Sequence, residues 1–188
     1  MPPEFFAADL SGRFSDQEAF AGVIRDALKR AAADGWPEII LSDPSFEGWP
    51  LGETSTIHAL QAWAKPGRRL VLLAGRFDLL IRLQPRFVAW RKTWSHLVDG
   101  RVCPPSALAG LPSAIWSRHW FLSRTDAQAG VGQYGADRVR LQALHEALQN
   151  KLKVSVSGFA PTTLGLYGHL AWVNLADEQA NFYLIIQG

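Results

Sequence analysis

His119 and Asp126 are the residues of this sequence whose types and spacing come nearest to a reactive pair. They stand seven apart in the run His119-Trp120-Phe121-Leu122-Ser123-Arg124-Thr125-Asp126. If that run is a strand, its side chains alternate between faces, so His119, Phe121 and Ser123 share one face while Arg118 and Arg124 point to the other. Asp43 is a second candidate. It follows the apolar run Glu38-Ile39-Ile40-Leu41, at the end where open parallel sheets place ligand-binding residues. Followed by Pro44, it is equally an ordinary turn starter. A third group is basic: Arg68, Arg69, Arg76, Arg82, Arg86 and Arg91 lie within 65–101, a segment that also holds Lys65, Lys92 and Arg101. Such a cluster can hold phosphates, or can complement acidic residues elsewhere in the same chain.

Other chemistries are poorly supplied. No two histidines have the helical i, i+4 spacing of a metal pair, and one Cys excludes both an intramolecular disulfide and a Cys-rich zinc site. No metal and no cofactor are expected. Cys103 is followed by two prolines and has no base beside it in sequence. His58 and His145 read as residues at helix–sheet borders, and His96 and His169 carry no signal. The run Gly130-Val131-Gly132-Gln133-Tyr134-Gly135 spells G-x-G-x-x-G. It comes late in the chain and lacks an acidic residue about 20 positions on, so it is not read as a dinucleotide site.

The run from His119 to Asp126 resembles the H-x-K-x-x-x-x-D motif of the phospholipase D superfamily, with Phe121 where that motif has lysine. The resemblance extends over about residues 15–150 and rests on the order of elements: helix and strand 39–41, helix and strand 70–73, the motif strand, a glycine-bearing turn at Ala129-Gly130-Val131-Gly132, and a last helix. Downstream, Gly132-Gln133 and Asp137 match the family's Gly-Ser and Asn poorly. In the family the histidine attacks phosphorus and the lysine neutralises the phosphate oxygens as they gain charge. Phenylalanine offers neither charge nor donor, and loss of one well-placed donor typically costs a factor of about 10² to 10³ in rate. The resemblance therefore implies half of a phospholipase D-like fold, degenerate and non-catalytic, acting as a binding or accessory module. Two alternatives stand beside it. One is a phosphodiesterase of nuclease or phospholipase type with His119 as nucleophile and Asp126 supporting it. Single-half members of the family pair their motifs across a dimer, so this also requires a homodimer. The other is a polyanion-binding module that takes nucleic acid or another phosphate-bearing ligand through the arginines of 68–101.

The elements that must position these residues are legible in the pattern of the chain. A length of 188 residues, 48% of them apolar and 19% charged, is the composition of one globular domain. We read 1–188 as a single α/β domain with 151–188 a β-rich C-terminal extension. Ser15 followed by Glu18 reads as a capping box opening a helix over 16–33, whose stripe is Phe20, Val23, Ile24, Ala27, Leu28 and Ala31. A second helix is expected over 54–64. A third is expected over 77–96, broken near Gln84 because Pro85 cannot donate to the preceding turn. The runs 38–41 and 69–74 read as buried strands joined through a helix, which implies parallel pairing and a mixed, mainly parallel sheet flanked by helices. Short strands are expected near 97–103 and 154–156, a single long strand over 114–125, a short piece about Val131 and Tyr134, and a last helix over 136–150. A hairpin is expected from 169–173 and 182–186.

Charge is uneven: residues 1–64 carry a balance of −6, residues 65–101 one of +7, and the remainder +1. The N-terminus has no basic segment before an apolar run, as a secretory signal would, and no stretch reaches the ~18 apolar residues of a membrane span. A cytoplasmic location is the expectation.

Overall fold

Apolar runs of four to six residues, separated by amphipathic stretches, can bury both faces only as strands between layers of helix. The computed structural model describes residues 11–160. In chain order its elements begin with β1 (Gly12–Ser15), α1 (Gln17–Asp34), β2 (Glu38–Asp43), α2 (Thr54–Trp63), β3 (Arg69–Ala74), α3 (Asp78–Leu83) and α4 (Pro85–Thr93). They continue with β4 (Val98–Val102), α5 (Pro105–Leu108), β5 (Ser113–Ser117), β6 (Phe121–Asp126), β7 (Val131–Gly135), α6 (Arg138–Val154) and β8 (Val156–Ser157).

The strands form one mixed sheet in the order β1-β7-β6-β5-β2-β3-β4-β8. The parallel pairing expected of the first two apolar runs is present, in register from Glu38 opposite Arg69 to Asp43 opposite Ala74. Parallel pairing is narrower than expected, however. Among the described strands only β2/β3 and β3/β4 are parallel, and the other five pairings are antiparallel. For β5/β6 and β6/β7 the reason is local: tight turns connect these consecutive strands, and a tight turn can join only antiparallel neighbours.

The single long strand expected over 114–125 is in fact a hairpin. The Ser117 N–H and hydroxyl both donate to the Trp120 carbonyl, at 2.9 and 3.0 Å, and reverse the chain. Trp120, 2% exposed, anchors the turn against Trp36 and Tyr134. An unbroken apolar run carries no marker for such a reversal, because both arms want the same core.

Alternate strand residues feed two cores. Ile39 and Leu41, Leu70 and Leu72, Ile115 and Leu122 face α1, α2 and α4. Ile40, Val71, Leu73, Ala114, Trp116 and Phe121 face α6, which contributes Leu144 and Leu148. The α1 cap is Asp16, which accepts from the Ala19 N–H at 2.7 Å. Ser15, the expected cap, is instead the last residue of β1 and lies opposite Val131. The break at Gln84 falls as expected, with Pro85 opening α4. The last helix runs through Val154, so residues 151–154 belong to α6 rather than to a C-terminal extension. Neither β1 nor α5 was legible beforehand. The hairpin expected at 169–173 and 182–186 lies outside the described residues.

One row of residues crosses the sheet at the carboxyl end of β2. Ser113 lies opposite Arg124, Arg124 opposite Gly132, and Gly132 opposite Phe14. Gly132 leaves room for the Phe14 ring, because a Cβ there would overlap both that ring and the Ser123 carbonyl. Phe14 is 3% exposed and packs on Phe20 at 5.4 Å. Gly132→Ala must therefore displace β1 or the β6–β7 pairing. We expect a loss of about 1–3 kcal/mol in urea denaturation, and an unchanged midpoint would refute this account of the row.

Candidate functional site at the carboxyl end of the second strand

The strongest cluster of polar side chains is buried in that row. The Asp43 and Arg124 side chains are 3% and 4% exposed and meet at 2.7 Å. Both Asp43 oxygens are satisfied. Oδ1 accepts the N–H groups of Ser45 at 3.0 Å and Phe46 at 2.7 Å. Oδ2 accepts the Ser113 hydroxyl at 2.5 Å and Arg124 Nη2. Arg124 Nε donates in turn to Ser113 Oγ at 2.9 Å, and its guanidinium lies 4.3 Å from the Phe20 ring of α1. The pair is thus a closed network between three strands and a helix, and the 43–48 loop hangs from it.

Above the network opens a cleft of about 400 Å³, lined by Gln17, Ser45, Glu47, Gly48, Arg124 and Gln128 among others. Gln17 Nε2 donates to the carbonyls of Ala127 and Gln128, at 2.7 and 3.4 Å, and so ties α1 to the β6–β7 turn. A second staple holds the far end of the same loop: the Gln84 side chain accepts from the Gly52 N–H and donates to the Trp49 carbonyl.

Of the residues singled out in the sequence, Asp43 is at this site, and Arg124, Ser113, Gln17 and Glu47 join it unforeseen. Arg124 carried a signal: it is a charge just past the apolar run Trp120-Phe121-Leu122, on the face away from Phe121 and Ser123. His119 and Asp126 are not brought together. His119 is exposed in the β5–β6 turn, at the edge of a cleft of about 480 Å³ that it shares with Arg118, Arg138 and Gln142. Asp126 ends the six-residue β6, roughly 17 Å of strand away. There its Oδ1 accepts the N–H groups of Gln128 and Ala129 at 2.8 and 2.9 Å. Phe121, at the motif's lysine position, is 2% exposed beneath α6.

The arginines of 68–101 scatter around the fold. Arg68 donates to the Trp63 carbonyl at 2.6 Å, and Arg69 bridges Glu38 and Asp99 at 3.1 and 3.0 Å. Arg76 lies 3.7 Å from Asp78. Arg82 is exposed on α3, and Arg86 is exposed on α4 with Nη1 at 3.5 Å from the Gly52 carbonyl. Arg91 is 4% exposed, with its guanidinium 4.8 Å from the Phe159 ring. Burial pulls that guanidinium below its ordinary value, and Asp99 opposes the shift. Cys103 is 2% exposed; burial pushes its thiol up, against the pull of Lys151. Among the described residues no group of three or more His, Cys, Asp or Glu is placed to hold a metal ion, and no helix is long and apolar enough to cross a membrane.

Fold and cleft together define an α/β domain whose described strands form a mixed eight-stranded sheet, with helices on both faces and a cleft holding several polar side chains at the carboxyl end of a central strand. No protein-family model and no curated protein matches the sequence. Among solved structures the chain is similar to TrmBL2, described as an archaeal chromatin protein that shows a novel mode of DNA binding, with a TM-score of 0.57 at 12% identity. The likeness covers 82% of this chain and 57% of that one, and at that identity it is a likeness of fold.

Two outcomes test the electrostatics. Arg124→Met leaves the Asp43 carboxylate buried without its cation and should lower stability by about 3–5 kcal/mol, part of which Asp43→Asn restores in the double variant. Urea denaturation of the four proteins checks this, and strictly additive losses would show that the two residues act separately. For Cys103 the neutral thiol is favoured by folding. Its contribution is therefore complete below the ordinary thiol range near pH ~8.5 and is lost as pH rises above it. Between pH 7.5 and 10 the wild-type chain should lose more stability than Cys103→Ala does.

Proposed function

We propose that this chain is a non-catalytic, degenerate phospholipase D-like domain that acts as a binding or accessory module in the cytoplasm. The observation that carries the reading is the state of the motif positions, with His119 exposed in the β5–β6 turn, a buried Phe121 in place of the lysine, and Asp126 at the far end of β6. Attack by a histidine on phosphorus requires a cation or donors fixed where the phosphate oxygens gain charge. At the lysine position stands a buried phenylalanine, and the carboxylate seven residues on is engaged in capping a turn. The Asp43 carboxylate has its acceptor sites filled from within the protein, which suits a structural part better than a general base.

Hydrolysis of bis(p-nitrophenyl) phosphate by the wild-type chain and by His119→Ala tests this. We expect neither to exceed the uncatalysed rate. Turnover by the wild type that the substitution abolishes would establish the rival, a phosphodiesterase with His119 as nucleophile, and would call for a homodimer to supply a second motif.

A second reading, binding of nucleic acid through the arginines of 68–101, is favoured by the fold similarity to a DNA-binding chromatin protein. Arg82 and Arg86, exposed on adjoining helices, are its best-placed contacts, while Arg69 is engaged by two carboxylates. Contacts of this kind release counterions, so retention of duplex DNA must fall steeply with salt and fall further in Arg82→Ala/Arg86→Ala. No retention at low salt would end this reading.

A further inference from the structure

Arg124 directs Nε to Ser113 and Nη2 to Asp43, and among the described residues Nη1 has no hydrogen-bond partner. The side chain is 4% exposed and lines the cleft at the end of β2, so the edge it turns to that cleft is the one carrying Nη1. Glu47 lines the same cleft, and among the described residues its carboxylate has no ion pair. No ion pair joins the two. Gln17 adds an acceptor, because Nε2 is engaged by the Ala127 and Gln128 carbonyls and Oε1 remains. That oxygen faces Gly48, where a Cβ would stand 3.7 Å from Oε1, an ordinary contact distance. The cleft thus offers a donor of positive character on one side and acceptors, one of them charged, on the other.

These charges decide what fits. With Asp43, Glu47 and Arg124 counted together the lining is net negative by one, which disfavours a simple anion. A simple cation would leave Nη1 unanswered. Ligands carrying opposite charges on neighbouring atoms answer both sides with charge-assisted hydrogen bonds, which are stronger than those of neutral hydroxyls. We infer that the cleft binds a small zwitterion of the α-amino acid class, its carboxylate on Arg124 Nη1 and its ammonium between Glu47 and Gln17 Oε1. The inference rests on the reading of the chain as a binding module and gives that module a site.

Calorimetric titration of the full chain with each of the free α-amino acids tests it, with acetate, ethylamine and glycerol as partial ligands. At least one amino acid should bind one to one, more tightly than any partial ligand. Glu47→Gln, an exposed substitution clear of the buried pair, should weaken that binding roughly tenfold or more while leaving the unliganded melting temperature unchanged. The inference is overturned if no amino acid binds, if acetate or glycerol binds as well, or if Glu47→Gln binds undiminished. The two readings fail separately: phosphodiester turnover would remove the non-catalytic one and leave the titration as it stands, whereas a silent titration leaves the hydrolysis result untouched.

Discussion

A carboxylate placed at the carboxyl end of a strand buried on both faces must find its hydrogen bonds inside the protein, because water does not reach it. In this chain Asp43 meets that requirement with two backbone N–H groups, a hydroxyl and a guanidinium, and each partner fixes a different part of the fold. The backbone bonds shape the loop after β2. Ser113 and Arg124 tie β2 to the hairpin of β5 and β6, whose residues are 70 and 81 positions further along the chain. The Phe20 ring over the guanidinium brings α1 onto the same point. A lone buried ion pair gains little over an apolar replacement, but breaking one strands the other charge. The value of this pair lies in the geometry it enforces.

The loop shows what that geometry supports. Phe46 has a φ of 58°, a left-handed conformation that a bulky side chain adopts only when its surroundings dictate it. Its N–H is held by Asp43, and its ring is buried against Trp49 at 5.1 Å and Phe77 at 6.2 Å. Gly48, with a φ of 74°, continues the turn and brings Glu47 to the cleft beside Gln17. The strain at Phe46 is thus set against aromatic burial on one side and a carboxylate hydrogen bond on the other. The polar rim of the cleft follows from that balance.

Much of this architecture was legible in the sequence, for reasons that differ from element to element. The α1 stripe and the runs 38–41 and 69–74 are local patterns, and buried parallel strands need only be continuously apolar. Pro85 marks its own break, because the missing N–H acts whatever the tertiary context. The hairpin at Ser117 and Trp120 was not legible: the turn contains neither glycine nor proline, and what reverses the chain is a buried tryptophan three residues beyond a serine. Strand β1 was hidden because four residues with one buried position, Phe14, carry no period of their own. They are a strand because Gly132 makes room for a ring on the neighbouring strand.

The candidate site was half legible for the same reason. Asp43 could be placed at a strand end from its neighbours alone. Arg124 could be placed on the face away from Phe121, which is where it is found. Their meeting could not be read, since it depends on β5 being inserted antiparallel between β2 and β6. Treating 114–125 as one strand put His119 in line with Phe121 and made the histidine look like part of a face. Once the run is folded at 118–120, His119 moves to the turn and Arg124 becomes the inward group at the opposite end of the sheet. The same reversal that places the histidine in an exposed turn delivers the arginine to Asp43, so the hairpin that exposes His119 is also what assembles the cleft.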